Sequence, residues 1–505
     1  MDTVSKAAVQ NIKKGPIITV IIMGAFVAIL NQTLMNVALP KVMNNFHITA
    51  TTAQWITTGY MLVNGVLIPI TAYLMERFTT RQLFLAAMSL FAIGTFICGI
   101  SPSFSILILG RVIQAAGAGI MMPLLTNVIL TIFPADKRGS AMGVVGVAMV
   151  FAPAIGPTLS GWIVETFSWR LLFFIILPIA IIDIIVAIFF LKNVTKVSKP
   201  KLDILGVILS TVGFGGILYG FSSAGDKGWT NLLVLNIIFT GVVALDLFVV
   251  RELRVNKPML EFRVFKYGMF TLAAIINVII TMAMFAAMLL LPIYLQNIRG
   301  FTPLESGLLL LPGAIIMGIM NPITGVIFDK IGPKWLAVTG LIITAVTTYM
   351  FSRLTDSTTY TTLIILYSCR MFGMSMLMMP IMTAGLNSLP QRLNAHGTAM
   401  VNTFRQVSGS LGTAFLITIM SSQTKKHVQD MIQSLAPHTK QQIAMISKEA
   451  SIKGINDAFI VATGLAVLAL ILAFFLKKTR PPQEEESKER QKQKFRKSKL
   501  AGSRG

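Results

Sequence analysis

The sequence predicts an all-α integral membrane protein with 14 transmembrane helices, and three observations carry that expectation. Of 505 residues, 54% are hydrophobic and 12% charged, and the mean hydropathy is +0.74, which lies outside the range of soluble globular domains. Apolar runs of about 20 residues, the length that crosses a bilayer, follow one another almost end to end with short polar connections. The 43 Lys and Arg outnumber the 20 Asp and Glu and concentrate in alternate loops and after Leu476, as in cytoplasmic segments of membrane proteins. The net charge of +23 therefore orients the chain in a membrane, and nucleic acid is not expected as a partner.

Residues 1–16 form a polar segment with Lys6, Lys13 and Lys14. The apolar run that opens at Ile17 has no small-residue cleavage site and reads as an uncleaved span. Six spans are expected within 17–191, the later five near 50–74, 82–100, 105–132, 140–162 and 169–191. Residues 192–266 hold two inserted spans, about 203–222 and 231–250, flanked by basic linkers. Six more fill 267–476, near 268–297, 304–328, 335–352, 359–386, 397–420 and 455–476.

A long loop, 421–454, separates the last two and is expected outside. Its amphipathic stretch Val428–Ser447 is either a short helix on the outer leaflet or a solvated connector. The basic tail 477–505, with its Glu484–Glu486 run, reads as disordered. The bias of Lys and Arg puts both termini in the cytoplasm.

Several chemistries lack a foothold. Cys98 and Cys369 each sit in an apolar run and read as small buried hydrophobes, so no disulfide framework is expected. His47, His396, His427 and His438 lie in loops or at helix ends without ligand spacing, so neither a metal nor a cofactor is expected. The sequence has no GxxxxGK[ST] phosphate cradle. Catalytic constellations are missing too, so an enzyme is not expected.

An internal repeat organises the chain. Ala72–Arg81 superposes without gaps on Gly325–Lys334, pairing Glu76 and Arg77 with Asp329 and Lys330 at an offset of 253 positions. Two bundles built on one plan, with two central spans between them, give this pattern. The acid–base pairs are either a latch that holds one conformation or anchors that obey the charge bias; anchoring does not account for the repeated acid.

Leu30-Asn31-Gln32-Thr-Leu-Met-Asn36, the loop around Glu76 and Arg77, Gly110-Arg111-Val-Ile-Gln114-Ala-Ala-Gly117, Ala152-Pro153-Ala-Ile-Gly156-Pro157-Thr-Leu-Ser-Gly161 and Ser168-Trp169-Arg170 together resemble the major facilitator superfamily. The likeness is to its 14-span drug:proton antiporter branch of the EmrB/QacA type, and most of all to the lincomycin-resistance (LmrB-like) subgroup. It implies two six-helix bundles, an exporter signature at 152–161, and a cytoplasmic latch at Glu76, Arg77, Asp329 and Lys330. Thr79 and Ala72 replace the usual glycines of the first latch copy, and Asn31 stands where the family commonly has a membrane acid.

The same residues can be read from their chemistry. Pro153, Gly156, Pro157 and Gly161 make either a hinge or gate between bundles, or an ordinary kinked span. Arg111, Arg370 and Arg405 fall within apolar runs, where a central arginine costs about 2.5–3.5 kcal/mol unless it faces a wet cavity or a partner. Snorkelling is the alternative for Arg405. Proton coupling needs a membrane carboxylate, and Asn31 cannot titrate. Asp183, in the sixth span, is the deepest acid left, and it either titrates, with Arg111 as the positive end of the path, or balances an arginine. Asn31, Gln32, Asn36, Gln114, Arg370, Met374, Met378 and Arg405 are the candidate lining of a substrate cavity. The 29 Met and 32 Phe suit either polyspecific binding or ordinary packing.

The expected function is proton-driven export of amphiphilic drugs, lincosamides among them, by a monomer in the lipid of a bacterial plasma membrane. The alternatives are a facilitator or uptake carrier, a lipid flippase on the same fold, or a non-transporting membrane receptor.

Overall fold

The computed structural model describes residues 14–132, 151–152, 155–194, 197, 203–255, 258, 260–390, 393–435 and 439–477. The first bundle comprises α1 (Lys14–Phe46), α2 (Trp55–Arg77), α3 (Thr80–Ile100), α4 (Phe104–Ile132), α5 (155–166) and α6 (Leu171–Phe190). The inserted pair is α7 (Ile204–Lys227) and α8 (Leu232–Arg254). The second bundle holds α9 (Gly268–Ile293), α10 (Pro303–Ile331), α11 (Pro333–Phe351), α12 (Tyr360–Ser375), α13 (Met378–Leu386), α14 (Asn394–Leu435) and α15 (Lys440–Ala473). The N-terminal segment 1–13, part of the first linker, the tail 478–505 and Pro153 lie outside the described residues.

Eleven spans among the described residues are long and apolar enough to cross a membrane, where 14 are expected; α12 and α13 together make one of them, Tyr360–Leu386. The three expected spans that are not among the eleven are α2, α5 and α14. In α2 the side chains of Ile68, Pro69, Ala72 and Glu76 lie outside the described residues and interrupt the described apolar stretch. Only 155–166 of α5 and two residues before it are described. In α14, Asn402, Arg405 and Gln406 dilute the apolar run.

Helices in this architecture bury apolar faces on each other and turn the rest outward. Phe189, Leu232 and Phe239 are among the most exposed apolar side chains, as expected of surfaces solvated by lipid tails. Successive helices alternate direction, so the bundle has a near face, where α1 begins, and a far face. At the near face the repeated loops are built differently. Thr79 caps α3 in a box with Gln82, whereas Gly332 starts α11 at φ 83°, a left-handed conformation that glycine adopts without strain.

Within 421–454, expected as a loop, residues 421–435 continue α14 and residues 440–454 belong to α15, so the described parts form the two arms of a helical hairpin. At 1.5 Å rise per residue, the 42 residues of α14 extend about 63 Å, roughly twice the hydrocarbon thickness. The polar end therefore projects from the far face. Asn456 Nδ2 donates to Leu354 O at 2.9 Å, His427 Nε2 meets Asp457 Oδ2 at 2.8 Å, and Lys448 Nζ reaches Asp356 Oδ1 at 2.8 Å, so three contacts brace its base. Lys448 donates to the Asp356 carboxylate and holds its pKa below the usual range.

Candidate functional site

Arg111 is the centre of the first bundle. Gly94 and Gly117 let α3 and α4 approach backbone to backbone; a Cβ on Gly94 would lie 2.6 Å from Gly110 O, and one on Gly117 2.7 Å from Phe91 N. That approach sets Arg111 and Gln114, one helical turn apart on α4, against α3. Arg111 is 1% exposed. Its Nη1 donates to Asn31 Oδ1 at 2.6 Å and to Gln114 Oε1 at 2.8 Å, and Nε donates to Ile56 O at 3.3 Å. Gln114 Nε2 in turn donates to Thr95 Oγ1 at 2.7 Å, and the guanidinium stacks on the Tyr60 ring at 4.2 Å. The partners of this buried cation are neutral oxygens and an aromatic face, with Asn31 as its closest acceptor.

The second bundle repeats the plan. Arg370 on α12 is 0% exposed; Nε donates to Thr348 Oγ1 at 3.3 Å and Nη2 to Ala283 O at 3.2 Å. Thr95 and Thr348 are 253 positions apart, the offset of Glu76 and Asp329. The repeat therefore extends from the loop motif into the buried polar centres. Each arginine keeps one guanidinium nitrogen, Arg111 Nη2 and Arg370 Nη1, without a hydrogen-bond partner among the described residues.

Asp183 is 3% exposed on α6. It faces Gly24 of α1, where an added Cβ would sit 3.0 Å from Asp183 Oδ2, beside Met88 Sδ and Phe84 of α3. Asp183 Oδ2 has no hydrogen-bond partner among the described residues. Gly24 and Asn31 are seven residues apart on α1, about 10 Å. One helix thus carries the contacts of both the buried carboxylate and the buried arginine, although the two do not touch.

The bundles meet in their far halves. Thr158 Oγ1 of α5 donates to Gly307 O of α10 at 3.3 Å, and Leu304 N to Glu165 Oε2 at 3.0 Å. Gln296 Nε2 donates to Val37 O at 2.9 Å, Ser410 Oγ of α14 to Thr58 O of α2 at 2.7 Å, and Thr51 Oγ1 to Ser421 Oγ at 3.1 Å. Gly161 and Gly307 set the approach of α5 to α10, and Gly156 sets that of α5 to α1 within the first bundle. A Cβ on Gly161 would lie 2.8 Å from Leu304 Cα, one on Gly307 2.9 Å from Pro157 C, and one on Gly156 3.0 Å from Thr33 Cβ.

Other predicted residues fall differently. Arg77 and Lys330 are exposed at the near face, and the side chains of Glu76 and Asp329 lie outside the described residues. The next base in each copy is an anchor within its own bundle. Arg81 donates from Nη2 to Ile188 O at the end of α6, and Lys334 Nζ lies 6.0 Å from the Phe474 ring at the end of α15. Met374 is buried in a core with Ile276, Leu341 and Ala469, and Met378 packs on that core. Asn36 is buried with an unpartnered Oδ1, Gln32 is half-buried, and Arg405 is exposed. Cys369 is exposed rather than buried.

Thr95, Tyr60 and Gly307 were not singled out by the sequence. Thr95 has a signal, its 253-position match to Thr348, whereas Tyr60 and Gly307 carry none without their partners.

Two helical bundles joined at one face, each with an arginine buried at its centre, are the architecture of a membrane transporter. The chain belongs to the Major Facilitator Superfamily, whose model matches residues 21–413, and to the branch that includes EmrB. It is 44% identical to the lincomycin resistance protein LmrB of Listeria monocytogenes, covering 93% of this chain and 98% of that one. The MFS-type transporter YhcA of Bacillus subtilis is 52% identical over 92% and 93% of the two chains. The multidrug export protein EmrB of Escherichia coli is 27% identical, covering 90% and 94%. A crystal structure of a bacterial homologue of the lysosomal transporter Spinster, inward-facing and occupied, shares the fold with TM-score 0.66 at 14% identity, covering 92% of this chain and 98% of that one.

Proposed function

We propose that this chain is a proton-coupled exporter of amphiphilic drugs, lincosamides among them, that works by alternating access in a bacterial plasma membrane. The observation that carries the reading is the seam of α5 on α10. The signature residues Pro157 and Gly161 make a backbone-on-backbone closure with Gly307, Pro303 and Leu304 at the far face, while Gly156 packs α5 on Thr33 of α1, and such a closure must part for release outward. The near face is then the cytoplasm, both termini lie there, and α2, α5 and α14 complete 14 spans with the eleven. Similarity to LmrB supports lincosamides as cargo.

Asp183 is the coupling carboxylate in this reading. Protonation removes the cost of a buried charge with no partner, and its contact with Gly24 transmits the change to α1, which holds Arg111 through Asn31. Arg77 and Lys330, with Glu76 and Asp329, form the cytoplasmic latch of the opposite state. Asn31, Gln32, Asn36, Gln114, Arg370 and Arg405 supply the polar part of the substrate path. The test uses purified protein in liposomes with an imposed pH gradient, adding lincomycin or a lipophilic cation to wild type and Asp183→Asn. Drug-evoked proton movement that disappears in the variant, with drug binding retained, is the expected result. Undiminished movement in the variant removes Asp183, and no movement for any compound removes the antiport reading.

A further inference from the structure

A cavity of about 480 Å³ opens on the far face at the base of the α14–α15 hairpin, a volume within the range of small-molecule sites. Its walls come from both bundles. Thr49, Ala50 and Thr51 belong to the α1–α2 connection; Ile293 ends α9 and Asn297 lies in the π-helical turn Tyr294–Ile298 that follows it; Ser421 and Lys425 stand on α14, Lys448 and Ser451 on α15. The hydrogen bond from Thr51 to Ser421 crosses its wall from one bundle to the other. This pocket lies apart from the polar centres at Arg111 and Arg370 and belongs to the external surface.

The lining has a definite chemical character. It contains two lysines and no carboxylate. Lys448 is bound to Asp356, while Lys425 has no ion pair among the described residues, so its charge is the one a ligand would meet. Hydroxyls of Thr51, Ser421, Thr424 and Ser451 stand beside it, and Met43, Ile293, Met420 and Ile455 supply an apolar wall. A cationic amphiphile finds no carboxylate in the lining and meets the ammonium of Lys425. An anionic head finds a charge-assisted donor with neutral donors around it, and its tail finds the apolar wall.

We propose that this cavity is an external binding site for anionic amphiphiles, compounds with one phosphate or carboxylate head and a short apolar tail. Because its walls belong to both bundles, the site exists only while the far halves are together. An occupant stabilises that closed arrangement by its differential affinity and slows outward release whatever the cargo is. The site does not depend on the identity of the exported substrate.

The test uses full-length protein in zwitterionic nanodiscs, with three probes of equal chain length: octyl phosphate, octyltrimethylammonium and octyl glucoside. Binding above that of empty nanodiscs is read by saturation-transfer NMR. Octyl phosphate is expected to bind saturably and at least about tenfold more tightly than the ammonium probe. Lys425→Gln should weaken it by about tenfold, the loss of one charge-assisted hydrogen bond, and Lys425→Arg should restore it.

Ser451→Trp, which fills the cavity, should abolish binding, with the thermal unfolding midpoint of each variant confirming a folded protein. In a Thr51→Cys/Ser421→Cys variant, octyl phosphate should raise the disulfide yield across the seam. Equal binding of the phosphate and ammonium probes overturns the proposal, as does octyl phosphate affinity unchanged in Lys425→Gln. Displacement of octyl phosphate by an equal concentration of inorganic phosphate overturns the amphiphile half of it. An unchanged disulfide yield with saturable binding overturns the state selectivity.

Discussion

Gly161→Ala tests the far-face closure directly. A Cβ at this position would sit 2.8 Å from Leu304 Cα and 2.9 Å from Pro303 C, whereas non-bonded carbons are most favourable at about 3.5–4.0 Å. Both contacts are backbone, so no side chain can swing aside, and α5 must move off α10 by several tenths of an ångström or more. Overpacking of this kind costs about 1–3 kcal/mol. The cost falls on the arrangement in which the far halves touch and vanishes when they part, so the ratio of open to closed far faces rises by about 5- to 150-fold.

Hydrogen exchange of peptides covering 155–166 and 303–310 measures that ratio, because exchange follows the population of the open form. Faster exchange in both peptides is expected, and Gly307→Ala, whose Cβ would meet Thr158 Cα at 2.9 Å, should reproduce it from the other side of the seam. Gly464→Ala is the control, since a Cβ there meets nothing within 4 Å. Unchanged protection in Gly161→Ala, or an equal change in Gly464→Ala, would refute the reasoning.

Other outcomes follow from the same geometry. Arg111→Ala leaves the Asn31 and Gln114 oxygens buried without their donor, about 1–3 kcal/mol each, so a lower unfolding midpoint in detergent is expected. Asn31→Asp places a carboxylate at the 2.6 Å contact with Arg111 Nη1 and gives α1 a titratable group. In liposomes Asp183→Asn/Asn31→Asp should recover drug-evoked proton movement that Asp183→Asn alone loses. For Asp356 the direction of the shift sets the sign. Its carboxyl is held below the ordinary value by the Lys448 hydrogen bond, so the tie is complete above about pH 4, the usual carboxylate pKa. It is lost as pH falls further. Hydrogen exchange of 440–455 should therefore accelerate on acidification below that value and should lose this dependence in Lys448→Gln.

The two-bundle fold was legible because hydrophobic run length is a direct consequence of bilayer thickness, and the repeat was legible because Glu76–Arg77 and Asp329–Lys330 recur in charged loops where little else constrains sequence. The α14–α15 hairpin was not read as such. Lys425, Lys426 and Asp430 end the apolar run, and an apolar run marks a membrane span rather than the end of a helix. A different signal was present: no Gly or Pro stands between Gly412 and Pro437, so nothing in the chain stops α14 where the membrane does. Helix propensity and membrane partition are separate quantities, and this segment satisfies only the first.

The candidate site was legible in its types and not in its pairings. Arg111 and Gln114 stand at i and i+3, so their proximity on α4 is dictated by the helix, but their bonds to Asn31 and Thr95 depend on packing of three helices. Met374 lies in a core in this arrangement. It stands four residues from Arg370 on α12, and a methionine is as apt for a core as for a cavity; only the placement of α9, α11 and α15 decides for the core. Asn31 was noted for the acid it lacks. Its oxygen is instead the closest acceptor of a buried guanidinium, so the neutral residue is not a gap in the site. A carboxylate there would compensate Arg111 fully. With an amide, Arg111 of α4 remains a net positive centre held against α1, the helix whose other buried polar contact is the carboxylate of Asp183, and in the proposed coupling α1 is the element through which charge at one position is felt at the other.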